Sequence, residues 1–203
     1  IKAIKATGKP LVLTVMAGRP LCISEDIERA DAVLYAFHGG TMQGTALANL
    51  IMGKVAPSGR LPMTFPMGEG QIPFYYNYKT PSRLMAKSPK LINDIPIRAY
   101  QFSIGESSYW LEYGNKPQYP FGYGLTYTTF EYGSVVLSDT CLNASSPDHL
   151  VASCEIANTG NRDAVAVPQL YIRDVVGTLT RPIRELKGFQ RIEIPAGETR
   201  TVS

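Results

Sequence analysis

The spacing of apolar and polar positions changes once along the chain, and the change divides it into two kinds of structure. From Ile1 to about Pro66, continuous apolar runs alternate with segments of helical period. "PLVLTVM" is bounded by proline and glycine and predicts a strand buried on both faces. "DAVLYAF" repeats the pattern after the charged segment "SEDIERA", where Ser24 is placed to cap a short helix. "TMQGTALANLIMG" then predicts a longer helix, with Thr41 as N-cap, Leu47, Leu50 and Ile51 on one face, and Gly53 closing it. Strand, helix and strand in this order predict a layered α/β domain with a mainly parallel sheet, of which only part is present.

From about Glu131 the period falls to two. "HLVASCEIANTG" places Leu150, Ala152, Cys154 and Ile156 on one face and Ser153 and Glu155 on the other. "AVAVPQLYIRDV" reads as a second strand, which Pro168 pushes toward a sheet edge or a bulge. "GFQRIEIPAGETRTVS" reads as two short strands around a turn at Pro195–Gly197. Short strands separated by turn residues predict a β-sandwich of immunoglobulin or fibronectin type. Between the halves, from Met67 to about Lys116, no period is visible, and the segment reads as a long connection packed over a surface. The expected organisation is residues 1–66 in the α/β domain, 67–118 as the irregular linker, and 119–203 as a junction segment and the β-sandwich. "IKAIKATGKP" reads as the end of a helix, and "GETRTVS" stops inside a strand, so both ends read as cut from something longer.

Composition narrows the function classes. A formal charge of +3 over 203 residues, with basic residues scattered, gives no footprint for nucleic acid. No apolar run is long enough to span a bilayer. The three cysteines lack metal-site spacing. Cys22 reads as a core thiol, and Cys141 and Cys154, flanking a polar turn, are candidates to meet across a hairpin.

Candidate chemistry is sparse. Glu25 and Asp26, with Glu28 and Asp31, sit where acidic residues favour a helix start and read as a solvated face. Glu69, Asp94, Glu106 and Glu112 are isolated. His38 ends an apolar strand just before "GGT", where ligands collect in open α/β sheets; the competing reading is a packed, hydrogen-bonded residue. "GGTMQG" lacks the lysine and the spacing of a phosphate loop. The block "YPFGYGLTYTTF" is either a sugar-stacking surface or buried mortar at a domain junction. The area of Tyr119, Phe121, Tyr123 and Tyr127 favours mortar.

Taken in order, these motifs resemble the carboxyl-terminal part of glycoside hydrolase family 3, especially its exported bacterial β-glucosidases. The resemblance rests on "TGKPLVLTVMAGRPL", on "ADAVLYAFHGGTMQGTALANLIMGKVAPSGRLPMTFP", on "GQIPFYYN", on "YPFGYGLTYTTFEY" and on the stretch Gln169–Ser203 with "RPIRELKGF" and "PAGET". It implies a three-domain enzyme, a (β/α)8 barrel followed by an α/β sandwich and a fibronectin type III-like domain. The mechanism implied is retaining, with an Asp nucleophile and a Glu acid/base and with no metal or organic cofactor. Both carboxylates are expected upstream of Ile1, so no catalytic residue is assigned here. The chain alone is expected to be inactive, its partners being the missing barrel and, through the complete enzyme, a β-glucoside substrate. The substrate-binding residues implied are His38 and Met42, where Met42 occupies a position that is often acidic in the family. A periplasmic or secreted location is also implied. The rival reading, from another class, is a noncatalytic carbohydrate-binding or interaction module.

Overall fold

A computed structural model describes residues 1–81, 84–100, 107–142 and 149–203, so Glu106 and most of the turn after Cys141 lie outside the described residues. The chain forms two compact units, neither continuous in sequence. One comprises residues 1–44, 61–123 and 171–185; the other comprises 45–60, 124–170 and 186–203.

The first unit begins with helix α1 (Lys2–Lys5), strand β1 (Val12–Val15), helix α2 (Ser24–Arg29) and strand β2 (Ala32–Tyr35). β1 and β2 are parallel, with Val12 beside Ala32 and Val15 beside Tyr35. The register is set at its start by Asp31, whose carboxylate accepts the Leu11 backbone N–H and the Lys5 ammonium, each at 2.7 Å. The expectation of burial on both faces does not hold. Val12 is 44% and Met16 64% exposed, because each of these strands has one neighbour among the described residues rather than two. Cys22 is likewise not a core thiol but exposed. It sits at the centre of a tight turn in which Ile23 N donates to Leu21 O at 3.0 Å, and the flanking Leu21 and Ile23 are the more buried residues.

Ser24 opens α2 as its first helical residue instead of capping it; Ile23 holds the cap position, and the Ser24 hydroxyl donates to Met67 O at 3.4 Å. Beyond β2, the fully buried Phe65 makes T-shaped contacts with Tyr35 and Phe37 at ring separations of 4.7 and 6.3 Å. Phe65 also exchanges backbone hydrogen bonds with Tyr119, which ties "SGRLPMTFP" to the aromatic block.

The segment predicted as irregular carries single 3-10 turns at Glu69–Gln71 and Ile92–Asp94. It also holds the short parallel pair β3 (Leu84–Met85) and β4 (Ser107–Ser108). Its base is closed by Gln71, 0% exposed, whose side-chain oxygen accepts from Met67 N at 2.7 Å and whose nitrogen donates to Lys116 O at 3.1 Å.

Helix α3 (Gln43–Ile51) starts one residue later than a Thr41 cap requires; Thr41 lies in the preceding turn, and Gln43 N donates to Gly40 O. Its end follows the expectation. Gly53 adopts φ 67°, Lys54 N reaches back to Asn49 O, and Gly53 N to Leu50 O. Those two bonds form the Schellman arrangement that glycine makes cheap.

The second unit is a β-sandwich. β5 (Phe130–Tyr132), β7 (Ala152–Asn158) and β12 (Thr199–Val202) form one antiparallel sheet in the order β12-β7-β5, and β6 (Val136–Leu137) also pairs with β7. β8 (Ala164–Ala166) and β11 (Ile192–Ile194) form the other. Ile156, Ala166 and Ile194, all 0% exposed, make the core, with Phe130, Cys154, Ile192 and Val202 packed around them. The alternation read in "SCEIAN" holds, since Glu155 is exposed and Ile156 buried.

"AVAVPQLYIRDV" is not one strand. It breaks at Pro168 into β8 and β9 (Gln169–Ile172), and β9 pairs with β10 (Glu185–Phe189) rather than with β11. Proline has no N–H to continue the ladder, which is the reason for the change of partner. The turn at Pro195–Gly197 is present, with Gly197 at φ 78°, but its flanking strands join different sheets. The three thiols are free, and Cys154 lies opposite Val202, not Cys141.

Candidate functional site

The carboxyl ends of β1 and β2 carry the loops 16–20 and 36–42. Parallel strands bring such ends to one edge of a sheet, and the Tyr35 hydroxyl, donating to Arg19 O, ties the loops together. Phe37 sits at φ 50°, a left-handed conformation that costs a non-glycine residue about 1–2 kcal/mol. Its ring is retained at 4.9 Å from Tyr35, so aromatic packing offsets the strain and the chain turns sharply into His38.

His38 is exposed and lies against Gly18, where a β-carbon would fall 2.7 Å from the imidazole Nε2. Met42 follows in the turn before α3 and is 66% exposed. The two sequence-derived candidates therefore share one loop. An imidazole that can donate or accept, beside a thioether, can line a polar ligand. Neither group is a carboxylate that could attack or protonate a glycosidic bond.

Gln43, the next residue, escaped the sequence reading. Its Nε2 is buried without a hydrogen-bond partner among the described residues, a state that ordinarily costs about 1–3 kcal/mol. Nothing in the one-dimensional pattern marks it, because glutamine in a first helical turn is usually solvated.

A second feature of this unit is a cleft of about 630 Å³ whose walls include Cys22, Glu25, Asp26, Arg29, Glu69 and Tyr113. Two of its three acidic residues are paired. Arg29 binds Glu25 at 2.7 Å and Asp26 at 3.5 Å. The hydrogen bond and then the charge of Arg29 lower the Glu25 pKa, opposite to what a general acid requires. Partial desolvation and then the charge of Glu69 raise the Cys22 pKa, which keeps the thiol protonated and weakly nucleophilic. Asp31 is held ionised by Lys5 and by the Leu11 N–H. No cluster of His, Cys, Asp and Glu suited to a metal ion occurs among the described residues.

The aromatic block is engaged with protein. Phe121 stacks on Tyr76 at 4.1 Å and 13°, and Tyr76 and Tyr171 make a T-shaped pair at 6.1 Å. The Arg184 guanidinium stands 5.8 Å from the Tyr171 ring centre. Tyr119 stacks on Tyr123 at 4.8 Å. In the other unit the Tyr127 hydroxyl donates to Leu50 O at 2.9 Å. Gly124 is required where it stands, since a β-carbon there would approach Gly59 O to 2.3 Å.

Comparison with known proteins gives this arrangement a context. Residues 1–127 match the model of the glycosyl hydrolase family 3 C-terminal domain, and residues 166–203 match the fibronectin type III-like domain. Over its full length the chain is 41% identical to a periplasmic β-glucosidase of Salmonella typhimurium and 37% identical to a β-xylosidase of Formosa agariphila. In each case it spans 25% of the relative. The β-glucosidase of Listeria innocua, solved in complex with glucose, superposes with a TM-score of 0.81 at 36% identity, over 99% of this chain and 26% of that one. The chain thus spans about a quarter of the relatives it matches. It belongs to glycosyl hydrolase family 3, of which it carries the C-terminal α/β domain and fibronectin type III-like strands.

Proposed function

We propose that this chain is a piece of the carboxyl-terminal portion of an exported, retaining β-glucosidase that removes terminal, nonreducing β-D-glucosyl residues. In this reading the Asp nucleophile and the Glu acid/base belong to sequence preceding Ile1, the nucleophile on a (β/α)8 barrel. His38 and Met42 contribute to the wall of the sugar pocket. Residues 1–66, 67–118 and 119–203 serve as the end of the α/β sandwich, its linker, and the junction with the fibronectin-like domain. The supporting observation is the unbroken 41% identity of the whole chain to one quarter of a periplasmic β-glucosidase. The pairing of Glu25 and Asp26 with Arg29 adds to it, because it leaves the cleft without a free acid/base pair.

The test is release of an aryl leaving group from an aryl β-glucoside by the purified 203-residue chain. No release above buffer is expected, and measurable turnover would overturn the assignment of both carboxylates to upstream sequence. Calorimetric titration with glucose or a short β-glucan addresses the rival binding-module reading. The engagement of the rings of Phe121, Tyr119 and Tyr123 by other side chains weighs against that reading.

A further inference from the structure

Helix α3 leads directly out of the loop bearing His38 and Met42, yet its own sequence does little to complement its dipole. It has no acidic residue in the first turn and no basic residue in the last. A helix end without such partners keeps its partial negative charge uncompensated. The Schellman bonds engage Asn49 O and Leu50 O locally, and two residues distant in sequence add further donors at this end. The Tyr127 hydroxyl donates to Leu50 O at 2.9 Å, and the Arg162 guanidinium donates to Gly53 O at 3.2 Å. Gly53 also leaves room for the guanidinium, since a β-carbon there would lie 3.2 Å from Arg162 Nη1.

Arg162 is itself held in place. Asn158, 1% exposed, donates from Nδ2 to Arg162 O and to Ile194 O, each at 2.8 Å. Its Oδ1 accepts the Thr128 hydroxyl at 2.5 Å and Gly160 N at 3.2 Å. A buried amide whose two ends are both satisfied is a rigid bracket, and the short loop from Thr159 to Arg162 hangs from it.

We propose that Arg162 and Tyr127 are positioning residues for α3, capping its carboxyl end in trans, and that Asn158 presents Arg162 for this role. The loop between β7 and β8 and the segment leading into β5 then serve as the abutment of α3. The inference goes beyond the hydrolase reading and stands independently of it.

Amide hydrogen exchange on the full chain tests it, comparing the parent with Arg162→Ala, Arg162→Lys and Tyr127→Phe. Arg162→Ala should speed exchange of the amides closing the helix, those of Met52, Gly53 and Lys54, about 2- to 5-fold, the worth of a cation at a helix end. The amides of β7 and β12 should keep their protection. Arg162→Lys should restore most of the effect, and Tyr127→Phe should speed Gly53 exchange alone or nearly so. Unchanged exchange at the helix end in Arg162→Ala would overturn the proposal. So would equal acceleration in the alanine and lysine variants, or an acceleration shared with β7 and β12.

Discussion

The imidazole of His38 rests on the backbone of Gly18, where a β-carbon would come within 2.7 Å of Nε2 and 3.0 Å of Cδ2. Gly18→Ala should therefore turn the imidazole out of its place. The atoms in the way are the free end of an exposed side chain, so the cost to stability should stay within about 0.5 kcal/mol. The expected outcome is a shifted His38 imidazole resonance with an almost unchanged denaturation midpoint. An unmoved resonance would show that His38 does not rest there.

Asn158 has the opposite character. Replacing it with aspartate keeps the shape but removes both donors to Arg162 O and Ile194 O and brings a charge into a site that is 1% exposed. A loss of about 3 kcal/mol is expected from an uncompensated buried charge, read by chemical denaturation at neutral pH.

Ile156→Ala removes a side chain that is 0% exposed and faces Ala166 and Ile194. Truncations of this kind cost about 2–5 kcal/mol. The same change at Ile51, half exposed on α3, should cost far less, and the comparison of the two midpoints checks the location of the core.

Asp31 sets an acid-side dependence. The hydrogen bonds from Lys5 and from Leu11 N lower its pKa in the folded chain. Its contribution is thus complete above the ordinary carboxylate range, near a pKa of about 3.9, and fades as the pH falls through the lowered folded value. Asp31→Asn should be less stable than the parent at neutral pH, and the gap should narrow in strong acid. Paired denaturation curves across that range measure it.

What the sequence made legible follows from how local each cause is. Glu155 and Ile156 point to opposite sides because strand periodicity is a property of adjacent residues. Gly53 ends α3 because a left-handed residue is a local need. Thr41 and Ser24 do not cap because a shift of a single residue turns a cap into a turn or a first-turn residue, and tertiary contacts such as Ser24 with Met67 decide which. The change of partner at Pro168 depends on which strands are available across the sandwich, information absent from "AVAVPQLYI" itself. His38 and Met42 could be located because a loop at the end of an apolar strand is visible in one dimension. The strain at Phe37 and the unpartnered amide of Gln43 could not, since both arise only when that loop closes on Tyr35, Gly39 and Gly40.

Gln71 grips Met67 with one end of its amide and Lys116 with the other. A stretch of chain stapled at its neck behaves as a cassette, because the cost of bringing its ends together rises only slowly with the number of residues between them. Evolution, or an engineer, can lengthen or shorten the chain between those two anchors while leaving the strands before and after in register, provided that Tyr76 and Tyr78 keep their contacts with Phe121, Tyr171 and Ile183. Foreign sequence grafted into this position should be carried as cargo, and the glutamine is the clasp that must be kept.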